Sequence, residues 1–121
     1  MNESQKKEEL FIQGLNYYHK KDYFESHESW EELWSDYYLE DRKFVQALIQ
    51  LSVSFVHLGN NNIKGAKSLL NKSKSKFKEF TGVHRGINMK KLLDQIEGVM
   101  DEYNNFSGLD SFDWNIIPSL D

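Results

Sequence analysis

The chain contains one proline, Pro118, in 121 residues. Because proline is the strongest interrupter of helices, every earlier segment is free to be helical. The chain also has no cysteine, which excludes disulfides, thiolate metal sites and cysteine nucleophiles. Aromatic residues make up 14% of it, enough to build much of one hydrophobic core. We therefore expect a single domain, residues 1–121, built from helices.

Apolar residues recur at helical spacing in five segments. The predicted helices cover about residues 4–19, 23–37, 41–58, 62–80 and 88–103, and Gly59 is expected to end the third. Short polar turns between them predict antiparallel neighbours. Residues 104–121 are irregular but too apolar for a free tail, so we expect them to dock. The predicted fold is all-α, a compact bundle of about five helices arranged as antiparallel hairpins, with a docked C-terminal segment.

The formal net charge is −4, which disfavours a dedicated nucleic-acid-binding function. Six lysines nevertheless fall close together, at Lys64, Lys67, Lys72, Lys74, Lys76 and Lys78. A solvated helix face explains them better than a phosphate-binding patch, because no arginines alternate with aromatic residues there. No apolar run approaches the roughly 18 residues that span a bilayer. We therefore expect no membrane segment and a cytoplasmic location.

The second predicted helix carries the most unusual pattern. At about 100° per residue, one stripe collects Tyr23, His27, Trp30, Trp34 and Tyr37, with Glu31 on its flank. His27 and Glu31 are four residues apart, so their side chains should project toward a common point. An imidazole and a carboxylate set into an aromatic stripe make this helix the candidate functional site.

Metal binding is one interpretation of this helix. The string from His27 to Glu31 differs from the zinc-protease pattern H-E-x-x-H by a glutamate in place of the second histidine. A carboxylate can ligate zinc, manganese or iron, so His27 and Glu31 are candidate ligands of a divalent metal. A third ligand is needed, and His57 on the central helix is the best candidate.

Neighbouring residues have roles in the same hypothesis. Glu28 would act as the general base for a metal-bound water, which would make the protein a hydrolase. Trp34 would wall the site off from water, and Gln50 would support it from the face of the central helix that carries His57. The site would then combine a metal ion, a general base and an aromatic side chain that excludes water.

A second interpretation needs no metal. A histidine and a glutamate four residues apart can form a buried pair that fixes helix packing, and removing one partner of such a pair costs about 3–5 kcal/mol. The protein would then be a non-enzymatic interaction module that binds a protein partner in a groove between its hairpins. Catalysis by the same groups without a metal is a third interpretation, and the residues alone leave all three open.

The residues of this helix also resemble a known family. His27-x-x-x-Glu31-x-x-Trp34 is similar to the H-x-x-x-E-x-x-W signature of a prokaryotic domain-of-unknown-function family of small helical proteins. Further similar positions are Gly14, Tyr17, Tyr23–Glu25, Leu48–Gln50 after Ala47 in place of a glycine, His57, Gly59–Asn60 and Gly65–Ala66. The resemblance covers about residues 11–77. It implies an all-α bundle and a suggested metal-binding role for the signature.

Overall fold

A computed structural model describes all residues, 1–121. Five α-helices dominate it, and their bounds are α1 (Glu3–His19), α2 (Tyr23–Asp36), α3 (Arg42–Gly59), α4 (Ile63–Phe77) and α5 (Met89–Asn104). A two-stranded antiparallel ladder, β1 (Val83–His84) with β2 (Ile87–Asn88), lies between α4 and α5. Short 3-10 helices occur at Leu109–Ser111 and Trp114–Ile116. The predicted all-α class and the five helices are confirmed, whereas the ladder was not predicted.

Each helix packs mainly against its neighbours in sequence, α1 on α2, α2 on α3, α3 on α4 and α4 on α5. Two antiparallel hairpins, α1–α2 and α3–α4, therefore lie side by side, and α5 closes the far end. A single cluster of 26 buried apolar residues runs through all five helices. The helix with the most buried residues is α3, as its nearly all-round apolar pattern predicts. None of the helices combines the length and the apolar character needed to cross a membrane.

The two hairpins turn in the same way. In each turn, a residue with positive φ precedes the cap of the next helix: Lys21 (65°) precedes Asp22, and Asn61 (58°) precedes Asn62. Gly59, expected just past the end of α3, is the last residue of the helix, and Asn61 rather than Gly59 adopts the left-handed conformation. Asparagine tolerates that conformation because its short polar side chain bonds locally.

Buried serines join neighbouring helices. Ser26 Oγ on α2 donates to Gly14 O on α1 (2.8 Å), and Ser54 Oγ on α3 donates to Ala66 O on α4 (2.7 Å). Ser73 Oγ on α4 donates back to a carbonyl of α3 (2.9 Å). A small side chain lets two helices approach closely, and the bond to a carbonyl satisfies the buried hydroxyl.

The contact between α1 and α2 is closest at Gly14. The indole of Trp30 is fully buried against this residue, and its Nε1 donates to Phe11 O (3.1 Å). A Cβ at position 14 would lie 2.1 Å from Trp30 Nε1. Only glycine therefore fits this point of the first hairpin.

The C-terminal segment returns across the bundle, as predicted. Tyr18 Oη donates to Pro118 O (2.7 Å), and His19 Nε2 donates to Ser119 O (2.8 Å), which tie the segment to the end of α1. Its last residue, Asp121, pairs with Lys91 Nζ on α5 (2.6 Å). The segment thus connects α5 to the first hairpin.

Candidate functional site

The buried face of α2 differs from the predicted stripe. Its buried residues are Tyr23, Ser26, Ser29, Trp30 and Leu33. His27 and Trp34 are half-buried, and Glu31 is exposed. Because the buried face of α2 includes serines, it is displaced around the helix axis from the stripe predicted from the aromatic residues. The residues of the H-x-x-x-E-x-x-W pattern therefore lie along the edge of the contact with α3.

His27 does not pair with Glu31. Its Nδ1–H donates to Phe24 O, 2.8 Å away in the preceding turn, and its ring packs edge-on against the Phe24 ring. Its Nε2 lies 3.7 Å from the Glu28 carboxylate. The local backbone carbonyl thus competes successfully for the imidazole, and the predicted buried pair of His27 and Glu31 is not formed.

His57 belongs to the turn between α3 and α4. Asn62 Nδ2 donates to His57 Nδ1 (3.2 Å), and a Cβ at Gly65 would lie 3.1 Å from the ring. No three His, Asp or Glu side chains of the protein are arranged to hold a metal ion. The structure therefore does not gather His27, Glu31 and His57 into the predicted three-ligand site, and metal binding by them stays a prediction, as does a catalytic role for Glu28.

Three of the predicted site residues do meet. Glu31 and Trp34 of α2 and Gln50 of α3 line one cavity of about 190 Å³, together with Gln46 and Ile49 of α3. We call this cavity the α2–α3 pocket. The sequence pattern pointed to Glu31, Trp34 and Gln50 but not to the other two, which lie within one helical turn of Gln50 on α3.

Two residues that line the α2–α3 pocket each have an unsatisfied buried polar atom, Trp34 Nε1 and Gln50 Oε1. The Trp34 ring is covered on one side by the Arg42 guanidinium, 3.9 Å from the ring centroid. Arg42 Nη1 also donates to Trp34 O (3.1 Å), which fixes the cation in place. A buried donor or acceptor without a partner costs about 1–3 kcal/mol, and native proteins keep few of them.

A larger cavity of about 560 Å³ lies at the other end of α2. Its walls are mostly apolar, and its lining residues are Lys21, Asp22, Tyr23, Phe24, Phe55, Val56, Gly59 and Trp114. Burial raises the pKa of Tyr23 to about 12, so its phenol stays neutral. We call this cavity the apolar groove. Its two charged lining residues are Lys21 and Asp22, and none of its lining residues has a buried side-chain atom without a hydrogen-bond partner.

The most strongly paired charges lie outside both cavities. Asp41, just before α3, accepts hydrogen bonds from His84 Nε2 (2.8 Å), Arg85 Nε (2.5 Å) and Arg85 Nη2 (2.9 Å). The His84 ring packs between Phe44 and Phe80, with centroids 4.4 and 4.9 Å away. Burial raises the pKa of the Asp41 carboxyl, but the bonds from Arg85 and His84 outweigh it and lower the pKa to about 2. No sequence pattern predicts this cluster.

Fold and site together define a small all-α protein of two helical hairpins with a polar pocket between α2 and α3. A family model described as Domain of unknown function (DUF309) matches residues 11–69, just under half of the chain. This range extends from α1 into α4 and includes all five residues of the α2–α3 pocket. The match supports the resemblance to a family of unknown function. Comparisons with curated proteins and with solved structures gave no significant match.

Proposed function

We propose that this protein is a binding protein and that the α2–α3 pocket takes a small polar ligand. One observation carries the proposal: Trp34 and Gln50 line the cavity that Glu31 borders, and each has one buried atom without a hydrogen-bond partner, Trp34 Nε1 and Gln50 Oε1. A ligand that offers an acceptor to Trp34 and a donor to Gln50 would satisfy both atoms once these side chains turn toward the cavity. Small-molecule sites typically combine a concave surface with a few such convergent polar groups.

The two unpartnered atoms fit a binding role better than a packing role. Polar residues kept for packing hydrogen-bond to one another or to the backbone, as the buried serines of this protein do. Trp34 Nε1 and Gln50 Oε1 instead lower the stability of the unliganded protein. Residues that break a local packing rule without a compensating contact are expected at functional sites.

The proposal uses only part of the site predicted from sequence. Glu31, Trp34 and Gln50 contribute to it. His27 and His57 do not, because the first donates to Phe24 O and the second accepts from Asn62. Binding needs no general base, so the proposal assigns no reaction to the protein.

We expect Gln50→Leu to leave the unliganded protein as stable as the wild type or to stabilise it by about 1 kcal/mol. Leucine removes the unsatisfied Oε1 and keeps a side chain of similar size on the helix with the most buried apolar residues. The free energy of unfolding from urea denaturation, measured by circular dichroism, tests this expectation.

The matched control is Gln46→Leu, which changes a half-buried glutamine of the same pocket that has no unpartnered buried atom. Its stability should stay within about 0.5 kcal/mol of the wild type. A loss of more than about 1 kcal/mol in Gln50→Leu alone would mean that Gln50 is a packing residue whose hydrogen bond stabilises the fold. That result would refute the proposed function.

A further inference from the structure

We infer that the apolar groove is the contact surface of a homodimer, in which Phe24 of each copy enters the groove of the other. This surface shares no residue with the α2–α3 pocket, so the two can be tested separately. A second copy fits the surface because it combines an exposed aromatic side chain, a groove beside that side chain, and charges of opposite sign on either side.

Phe24 is the exposed apolar side chain of the groove. It is 54% exposed, whereas the neighbouring wall residues Tyr23 and Phe55 are 8% and 1% exposed. An isolated exposed phenylalanine is common on protein surfaces, but this ring borders a cavity of about 560 Å³ with mostly apolar walls. Aromatic side chains that enter such pockets supply much of the binding energy of protein interfaces. The ring and the cavity together indicate a surface that a partner covers.

A second copy of the chain supplies both halves of this contact. Each copy has one exposed ring and one groove, so a two-fold axis beside Phe24 lets the two copies make the same contact twice. Such a symmetric contact requires one self-complementary patch on each subunit. Phe24 meets this requirement because its ring forms part of the wall of its own groove.

The charges along α2 favour the same arrangement. Lys21 lies three residues before Phe24, and the exposed residues Glu25 and Glu28 follow it. Lys21 forms no ion pair, and neither glutamate pairs with a lysine or an arginine. A two-fold axis at Phe24 reverses the direction of α2 in the second copy, so Lys21 of one copy lies opposite Glu28 of the other. Asp22 does not offset this charge pattern, because its carboxylate already accepts from Glu25 N (3.3 Å).

The size of the groove predicts a weak dimer. The groove is lined by eight residues, whereas stable interfaces contain about 20–30 residues on each side. Exposed ion pairs contribute little at physiological salt, so the apolar contact of Phe24 should provide most of the affinity. We therefore expect a dissociation constant of about 1–100 µM and a chain that is monomeric when dilute.

Sedimentation velocity of the full chain from about 1 µM to about 500 µM tests the dimer. The weight-average mass should rise from that of a monomer toward that of a dimer over this range. Phe24→Ser should stay monomeric throughout and keep the circular dichroism spectrum and urea midpoint of the wild type, because this side chain is largely exposed. Tyr38→Ser is the matched control. Tyr38 is 76% exposed and does not line the groove, so its loss should leave the dimer unchanged.

Exchange of charges tests the two-fold arrangement. Lys21→Glu and Glu28→Lys should each raise the dissociation constant about tenfold, because each turns two symmetry-related ion pairs into repulsive contacts. An equimolar mixture of the two variants should dimerise about as tightly as the wild type, since each introduced charge then faces an opposite charge. Lys90→Glu makes the same change of net charge at an exposed, unpaired lysine of α5 and should leave the dissociation constant unchanged.

Three results would overturn the inference. The first is a chain that stays monomeric up to about 500 µM, and if that monomer binds the apolar dye ANS while Phe24→Ser does not, the groove takes a small apolar ligand instead. The second is a dimer that survives Phe24→Ser or that Tyr38→Ser weakens equally, which would place the interface elsewhere. The third is a mixture of Lys21→Glu and Glu28→Lys that dimerises no better than either variant alone.

Discussion

Replacing Gly14 by alanine is expected to lower the free energy of unfolding by about 2–4 kcal/mol, a large loss for one added methyl group. The new Cβ would lie 2.1 Å from Trp30 Nε1, far inside van der Waals contact. Trp30 is fully buried and cannot swing away. Either α1 and α2 move apart or the indole shifts and loses its bond to Phe11 O.

Two unfavourable contributions determine how much Gly14→Ala lowers the free energy of unfolding. Overpacking a well-filled core costs about 1–3 kcal/mol, and an orphaned buried indole N–H costs about 1–3 kcal/mol more. The higher helix propensity of alanine returns about 1 kcal/mol. The sum favours destabilisation, and urea denaturation followed by circular dichroism measures it.

Gly98→Ala is the control for this prediction. Gly98 lies within α5, is exposed, and has open space where a Cβ would be placed. The same substitution there should stabilise the protein by up to about 1 kcal/mol, because only the propensity term remains. If Gly14→Ala were as benign as Gly98→Ala, the close contact between Gly14 and Trp30 would not exist in solution.

The helices could be predicted because their apolar residues repeat along the chain. Periodicity locates α3 within one residue at each end. The helix ends were less predictable: α4 ends at Phe77 rather than at residue 80, and the two-residue strands β1 and β2 follow. Such short strands have no periodic pattern, and their pairing depends on a turn in which Arg85 and Gly86 both take positive φ.

The site was only partly predictable, because hydrophobicity patterns treat serine as an outward-facing residue. Ser26 and Ser29 are buried in α2, so the buried face of this helix differs from the face predicted from its aromatic residues. This difference leaves Glu31 exposed and turns Trp34 toward α3. Helical spacing predicts that His27 and Glu31 are neighbours, but it says nothing about competing carbonyls such as Phe24 O.

The substitution Asp41→Asn is expected to destabilise the protein by about 2 kcal/mol near neutral pH, between the ~0.2–1 kcal/mol of exposed ion pairs and the ~3–5 kcal/mol of buried ones. Asparagine keeps the size of the side chain but removes the negative charge to which His84 and Arg85 donate. The Asp41 side chain is 16% exposed, so solvent screens these bonds only in part. The exposed Asp94, which forms no ion pair or side-chain hydrogen bond, supplies the control Asp94→Asn, expected to be neutral.

The same cluster predicts how stability depends on pH. The pKa of Asp41 is about 2 in the folded protein against 3.8 for an unperturbed aspartate, so the folded state favours the ionised form. A group with a lowered folded pKa stabilises the protein fully above its unfolded pKa and loses that contribution as the pH falls toward its folded pKa. The difference in unfolding free energy between wild type and Asp41→Asn should therefore be constant above about pH 5 and shrink between about pH 4 and pH 2.

Urea denaturation of both proteins across this range measures the difference, and the contributions from titration of all other carboxyls cancel in it. A difference that stays constant down to about pH 2 would show that the charge of Asp41 does not stabilise the contact between α3 and the β1–β2 turn.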